Sequence, residues 1–226
     1  MKILFEDLGT IDYKRAWDYQ EEIFNNIIAA KINNKEKNPN RLIFCEHLHV
    51  YTLGKSGAQS NLLISDELLK KIGATFYKNN RGGDITYHGA GQIVGYPIFD
   101  LEDMKLGIKD YVNLLEEVII KSIAGLSIES SRLEGATGVW LDADSPKARK
   151  ICAIGVRTSR YVTMHGFALN VNTNLDYFSY INPCGFVDKG VTSIEKELNT
   201  KQDMNKIKEL LLKNMESVFG VEIINF

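Results

Sequence analysis

Two apolar, β-prone runs joined by a short polar stretch stand in KICAIGVRTSRYVTMHGFALNV, residues 150–171. The first run covers 150–156, the second covers 161–171, and Arg157 to Arg160 separate them. Apolar runs of this length, rich in β-branched and aromatic residues and bounded by polar residues, are typical of two strands joined by a turn. We therefore predict a β-hairpin at the centre of a sheet.

Helical periodicity recurs on both sides of this hairpin. Apolar residues return at near-helical spacing over 12–30, 108–125 and 206–219, which is the pattern of one buried helix face. Ser65 followed by Asp66 and Glu67 predicts the start of a short helix, and Gly73 is suited to the position after its end. The sequence thus predicts four helices.

Further strand-like runs separate these helices. They cover 41–45, 49–53, 74–77, 92–99, 134–141 and 221–224. Pro97 lies near the end of one of them, and since proline donates no ladder hydrogen bond, we expect that strand to lie at an edge or to stop there. The pattern predicts an α+β protein with one mixed principal sheet and flanking helices. We expect a single domain over 1–226, with a small C-terminal lobe from about residue 179 as an option.

The composition excludes several classes of protein. Hydrophobic residues make up 44% and charged residues 25% of the 226 positions, as in an ordinary globular protein. Lys plus Arg number 27 against 29 Asp plus Glu, so no overall positive field favours nucleic acid. No apolar run approaches the ~20 residues of a membrane helix, and the first residues turn acidic without the pattern of a signal peptide. We expect a cytoplasmic protein that binds neither nucleic acid nor membrane.

The three cysteines differ in their surroundings. Cys45 and Cys152 lie in strand-like apolar runs, which favours a packing role, whereas Cys184 lies between Pro183 and Gly185, which predicts a tight and exposed turn. This setting makes Cys184 a candidate nucleophile. A lone thiol needs a nearby cation to lower its pKa. The candidate activators are Lys150, His47, His88 and His165, and their distance along the chain does not rank them.

Two further patterns have both a functional and a structural interpretation. Residues 81–92, RGGDITYHGAGQ, hold four glycines in their first eleven positions, so the backbone can approach a ligand closely or simply form a glycine-rich turn. The pattern is neither a Walker loop nor a GxGxxG fingerprint. Cys45, His47 and His49 alternate and would share one face of a strand, so they are an alternative metal-binding set. No fourth ligand stands nearby, and we predict no metal and no cofactor.

Several of these segments together resemble the lipoyl(octanoyl) transferase family. The segment at 81–92, with Tyr96-Pro97 after it, resembles the signature RGGxxTYHGPGQ…YP. The other matching motifs are Leu8-Gly9, Asp12-Tyr13, Ala16-Trp17, Glu46-His47, 50–54, Gly138-Val139-Trp140, 150–157, 165–171, Pro183-Cys184-Gly185 and Val191-Thr192-Ser193. Their fixed order over nearly the whole chain makes the resemblance specific.

The resemblance implies a fold, a reaction and a set of site residues. The fold would be that of the biotin and lipoate ligase catalytic domains, which is class II synthetase-like. The reaction would move an octanoyl group from octanoyl-acyl carrier protein to a lysine of lipoyl domains, in 2-oxoacid dehydrogenase complexes and in the glycine cleavage H protein. Cys184 would carry the acyl thioester and Lys150 would lower its pKa. The implied substrate-binding residues are Arg81, Gly82, Gly83, Asp84, Ile85, Thr86, Tyr87, His88, Ala153, Ile154, Gly155, Gly166, Phe167 and Ala168.

Three departures from the family pattern concern loops. Ala90 and Thr137 stand where proline is common, and Leu48-His49 replaces a frequent Pro-Pro. These changes affect the expected rigidity of loops and leave the cysteine and the lysine in place. Two alternatives stay open: an ATP-dependent lipoate- or biotin-type ligase, which needs no cysteine, and a non-catalytic acyl- or metal-binding module.

Overall fold

The computed structural model describes residues 1–33, 38–182 and 189–226. The strands are β1 (Lys2–Ile11), β2 (Asn40–His47), β3 (Val50–Leu53), β4 (Thr75–Lys78), β5 (Ile85–His88), β6 (Gln92–Ile98), β7 (Ser131–Leu133), β8 (Ala136–Leu141), β9 (Arg149–Ser159), β10 (Val162–Asn170), β11 (Gly190–Val191) and β12 (Glu222–Asn225). The helices are α1 (Tyr13–Ile32), α2 (Asp66–Lys71), α3 (Ile108–Ala124), α4 (Ile194–Leu198) and α5 (Met204–Phe219). Short 3₁₀ turns cover Gln59–Asn61 and Leu175–Tyr180.

One mixed sheet organises the described residues. Its strands follow the order β12-β1-β2-β6-β10-β9-β8-β7, with β11 beside β9, and a smaller sheet has the order β4-β3-β5. The mixed sheet with flanking helices confirms the predicted fold class. The predicted hairpin is β9–β10, near the middle of the sheet, but its turn lies at Arg160 and Tyr161 rather than at 157–160. Both residues have positive φ, of 49° and 64°, as a two-residue hairpin turn requires.

Helices cover both faces of the principal sheet. One core cluster joins the sheet to α3 and α5 through residues such as Tyr111, Leu115 and Leu211, all fully buried. A second cluster lies on the opposite face, where Phe24 and Ile27 of α1 pack against β2, β6 and β10. α2 begins as predicted: Ser65 caps it by accepting a hydrogen bond from Leu68 N–H at 3.3 Å. α5 begins at Met204, two residues before its predicted start, and α4 was not predicted. The described residues therefore form three layers, with the principal sheet between α1 on one face and α3 and α5 on the other.

The strand with Pro97 ends just after the proline, at Ile98, which is one of the two predicted outcomes. The other outcome, a place at the sheet edge, is excluded because β6 lies between β2 and β10. The sheet tolerates the missing N–H of Pro97 because β10 pairs with β6 only as far as Gly95. The Pro97 carbonyl accepts a hydrogen bond from the Thr163 hydroxyl at 2.8 Å. The strand predicted over 134–141 is present as β8, which covers its last six residues, and β7, which was not predicted, precedes it.

A bilayer-crossing helix is missing from the described part of the chain, where every helix is too short or too polar for that role.

Candidate active site

A cavity of about 380 Å³ opens on the α1 face of the sheet. Its floor consists of small residues in register on neighbouring strands: Ala153 of β9 lies opposite Ala168 of β10, which lies opposite Val94 of β6. Gly155 and Gly166 form the adjacent row. Because side chains on a strand alternate between faces, this small-residue face leaves a recess in a sheet that is otherwise densely packed.

Most of the substrate-binding residues implied by the sequence lie around this recess. Those that line it are Arg81, Gly83, Asp84, Ile85, Thr86, His88, Ala153, Ile154, Gly155, Gly166, Phe167 and Ala168, together with Lys150. Gly82 and Tyr87 are not part of the lining. Gly82 instead donates its N–H to Val156 O at 2.9 Å, and the Tyr87 ring packs in the cluster beneath the smaller sheet. The segments 81–88, 150–155 and 166–168, which are distant in sequence, thus meet at one cavity.

A β-bulge brings Lys150 to the same face as the floor. β8 and β9 pair Val139 with Cys152 and Trp140 with Lys150, so Ile151 is an extra residue on β9. Ile151 and Cys152 both enter the core on the α3 side. Without the bulge, strict alternation from Ala153 would turn Lys150 away from the cavity.

The Lys150 side chain runs along β8. Its Nζ lies 4.6 Å from the centroid of the Trp140 ring. A Cβ on Gly138, which has φ +122°, would lie 3.4 Å from the Lys150 Cε and 2.5 Å from Cys152 O. The absence of a side chain at Gly138 therefore leaves the room that the Lys150 stem occupies.

Cys184, the candidate nucleophile, lies outside the described residues. The chain on both sides of residues 183–188 is anchored. Asn182 N–H donates to Asn61 O at 2.8 Å, and Thr192 N–H donates to Lys150 O at 3.0 Å. Val191 pairs directly with Lys150. The downstream flank of the cysteine segment therefore lies beside the candidate lysine.

Side chains, rather than amides alone, hold the glycine-rich segment. Arg81 is buried, and its Nη2 donates to Thr52 O at 2.6 Å and to Thr52 Oγ1 at 3.0 Å. Asp84 accepts from Ile85 N–H and from Asn61 Nδ2, both at 2.6 Å. These contacts attach the segment to β3 and to the 3₁₀ turn at Gln59–Asn61, and they fix one wall of the cavity.

His88 is a neutral ring in a defined tautomer. Burial, with a smaller contribution from nearby His47, lowers the pKa of His88 to about 3. Gln92 Nε2 donates to Asn170 Oδ1 at 2.8 Å and to Tyr87 O at 3.2 Å, so Gln92 Oε1 is the acceptor for His88 Nδ1 at 2.8 Å. The proton is thus on Nδ1, and Nε2 is an acceptor that cannot donate to an oxyanion.

His165 is a buried histidine at an irregular point of β10. It has φ +59°, its Nε2 contacts Asn80 Oδ1 at 2.8 Å, and its N–H donates to Gln20 Oε1 at 3.1 Å. Burial, with Arg81 and Arg157 contributing, lowers the pKa of His165 to about 3. Both cavity histidines are therefore uncharged at neutral pH.

Cys45, His47 and His49 do not share one strand face. β2 ends at His47 and β3 begins at Val50, so His49 lies in the connection between them. His47 contacts Ile11 O and the Tyr96 hydroxyl, at 2.9 and 2.7 Å, while His49 contacts the Tyr87 hydroxyl at 2.7 Å. Across 1–33, 38–182 and 189–226, no cluster of three or more such side chains has the arrangement of a metal site.

Sequence reasoning missed several cavity residues. They are Tyr13, Val94, Tyr96, Trp140, Asn170 and Phe178. Tyr13, Tyr96, Trp140 and Asn170 belong to the family-like motifs, which was the available signal, but the motifs assign them no role. Their place follows from the sheet order, which brings α1, β6 and β8 around one recess.

Comparison with known proteins gives consistent results. Residues 12–216 match the family model of the lipoyl protein ligase A/B catalytic domain. The chain is 58% identical over 211 residues to an octanoyltransferase of Bacteroides fragilis, covering 93% of this chain and 95% of that protein. It is 54% identical over 231 residues to an octanoyltransferase of Cytophaga hutchinsonii, covering 99% and 95%.

Solved structures with little sequence identity share the fold. The putative lipoate protein ligase Ta0514 of T. acidophilum superposes with a TM-score of 0.73 at 15% identity, covering all of this chain and 88% of that one. A biotin protein ligase from Aquifex aeolicus, in complex with biotin and ATP, has a TM-score of 0.55 at 10% identity, covering 96% and 70%. The chain thus has the catalytic-domain fold of lipoate and biotin ligases.

Proposed function

Given that the chain belongs to the lipoyl protein ligase A/B catalytic-domain family and is an acyltransferase of the octanoyltransferase type, we propose that octanoyl-acyl carrier protein is its donor. The acceptor is a lysine of a lipoyl domain, and the acyl group passes through a thioester on Cys184. The whole chain acts as one catalytic domain. A cytoplasmic location is part of the same proposal, and the free thiols of Cys45 and Cys152 agree with a reducing compartment.

The observation that carries this proposal is the recess itself, with Lys150 at one end. Neighbouring strands lie roughly 4.8 Å apart, so the floor from β9 across β10 to β6 spans about 10 Å, a length that suits an extended eight-carbon chain. Val94, Ala153 and Ala168 give this floor an apolar surface. Each methylene buried there contributes about 0.8 kcal/mol.

The proposed chemistry has two acyl transfers. In the first, the Cys184 thiolate attacks the donor's thioester carbonyl, a new C–S bond forms and the donor's C–S bond breaks. The departing thiolate takes a proton from the Lys150 ammonium. In the second, the acceptor's amine attacks the enzyme thioester, a C–N bond forms, the Cys184 thiolate leaves, and Lys150 accepts the proton that the amine loses.

The energetics require no activation by ATP. The first transfer exchanges one thioester for another, and the second converts a thioester into a more stable amide. The fold neighbours that bind ATP are ligases, so dependence on ATP is the property that separates the two reactions. A transferase needs the cysteine, whereas a ligase reaction through an adenylate does not.

Intact-mass spectrometry after mixing the protein with octanoyl-acyl carrier protein tests the proposal. We expect the mass to rise by one octanoyl unit without ATP, the gain to vanish in Cys184→Ala, and the gain to form more slowly in Lys150→Ala. Cys45→Ala is the matched control and should keep the adduct, because Cys45 lies in the core and outside the cavity. Acylation of Cys184→Ala, or a strict need for ATP, would contradict the proposal.

A further inference from the structure

The Lys150 ammonium lies beside an aromatic ring whose position is fixed. Trp140 is directly opposite Lys150 in the β8–β9 ladder and is 2% exposed. Its indole N–H donates to Ala136 O at 2.9 Å, so the ring cannot turn without losing a buried hydrogen bond. Lys150 Nζ lies 4.6 Å from the ring centroid, within the range of a cation–π contact.

The approach of lysine to tryptophan depends on a supported backbone. Gly138, two residues before Trp140, has no Cβ to displace the Lys150 stem. Its N–H donates at 2.9 Å to Glu116, a buried carboxylate on α3 that also contacts Arg132 Nε at 3.0 Å. The buried Glu116 carboxylate, paired with the more exposed Arg132, thus holds β8 in the position from which Trp140 meets Lys150.

Other charged and titratable groups surround Lys150 on the elements packed against it. Among the described residues, these groups include Arg149 and Cys152 on β9, Glu116 on α3, and Lys189 just before β11. Arg149 is paired with Asp142 and Glu197, and burial raises the pKa of the Cys152 thiol so that it stays neutral. Lys189 lines the same cavity.

We propose that Trp140 is a positioning residue that keeps the Nζ of Lys150 protonated in the resting enzyme. The π face of the ring attracts the ammonium and has no comparable attraction for the neutral amine. This inference rests on the proposed function, in which the Lys150 ammonium delivers a proton to the departing thiolate of the donor. Trp140 therefore holds that proton on the enzyme until the first transfer takes place.

Fluorination of the ring tests this inference without changing its shape. Fluorine substitution withdraws electron density from the π face, so each added fluorine weakens the attraction for a cation. The chain has two tryptophans, and in a Trp17→Phe background Trp140 is the only one. Trp17 does not line the cavity, and phenylalanine keeps an aromatic ring beside Tyr13 and His165, so the unfluorinated Trp17→Phe protein is the reference for the series. The full-length protein is prepared with mono-, di- and tetrafluorinated tryptophan.

The ¹⁹F resonance of residue 140 reports the protonation of Lys150 independently of catalysis. We expect it to titrate in the alkaline range, with a midpoint that falls stepwise by a total of about half a unit to one and a half units across the series. This titration of the resonance should be absent in Lys150→Met. The alkaline limb of acyl-enzyme formation, followed by intact mass in a single turnover, should move by the same amount.

The two proposals fail in different ways. The role of Trp140 is refuted if the titration midpoint of the ¹⁹F resonance is the same throughout the series, or if the titration persists in Lys150→Met. Either result refutes it even when the acyl-enzyme forms normally. If the unfluorinated protein forms no acyl-enzyme at any pH, the thioester mechanism is refuted whatever the resonance does. A mere packing role for Trp140 predicts no stepwise shift, because the fluorinated rings fill the same site.

Discussion

A larger side chain at the centre of the cavity floor should shorten the acyl chain that the enzyme accepts. Ala168 lies on β10, midway between Ala153 and Val94, and its side chain faces the recess. Ala168→Leu places three more carbon atoms at the point that the middle of an octanoyl chain would cross. The backbone conformation of a β-strand accepts leucine, so the change acts mainly by filling space.

The size of the effect follows from the contacts that are lost. If the leucine excludes about three methylenes, at about 0.8 kcal/mol each, octanoyl loses about 2.4 kcal/mol of binding free energy. This corresponds to a loss of roughly 60-fold in the specificity constant. A butanoyl chain ends before it reaches residue 168, so its rate should change by less than about threefold.

The assay compares rates of acyl-enzyme formation from butanoyl, hexanoyl and octanoyl carrier proteins. Butanoyl serves as the internal control, since a global distortion of the site would slow all three donors equally. Equal slowing of butanoyl and octanoyl, or an unchanged preference for octanoyl, would refute the assignment of the small-residue floor as the acyl site.

Two further predictions concern the groups around the cavity. Gly138→Ala should destabilise the protein by about 1–3 kcal/mol, because φ is +122° and the new Cβ would lie 2.5 Å from Cys152 O; the free energy of unfolding in urea measures this, and a neutral result would show that the backbone can relax. Stability should also fall on acidification. The pKa values of His88 and His165 are lowered to about 3, so between about pH 6.5 and pH 3 the unfolded chain binds protons that the folded one does not. The expected loss between pH 6.5 and pH 5 is up to about 2 kcal/mol for each histidine, and His88→Gln should remove part of it. A slope of urea stability against pH that is the same in the variant and in the parent protein would contradict the assignment to His88.

The parts of the fold that are predictable from the sequence are those with local signals. The helices at α1, α3 and α5 follow from apolar periodicity and end near the predicted residues. β1 was not predicted, because its middle is polar (Glu6, Asp7) and its strand conformation is stabilised by partners far along the chain, β2 and β12. For Pro97 the sequence left an edge position or the end of a strand open, because it does not show that β10 stops pairing at Gly95.

The candidate site is only partly predictable from the sequence, because it too depends on contacts between segments that are distant in the chain. The family-like motifs identify Lys150, but whether its side chain reaches the cavity depends on the extra residue Ile151 in β9. Nothing in the local sequence indicates that bulge, since 150–156 reads as an uninterrupted apolar strand. Tyr87 stands within the signature, yet its side chain packs under the smaller sheet, because alternation along β5 sends His88 to the cavity and Tyr87 to the other side.

The burial of two cysteines bears on which thiol serves the proposed relay. Cys45 and Cys152 are fully buried, and burial raises the pKa of each thiol well above its ordinary value. The Cys152 thiol also lies on the α3 face of the sheet, opposite the cavity floor. A thiol that stays neutral and inaccessible cannot attack a thioester carried by another protein. Of the three cysteines in the chain, this reasoning leaves Cys184 for the proposed thioester, and the anchoring of Val191 beside Lys150 supports the same choice.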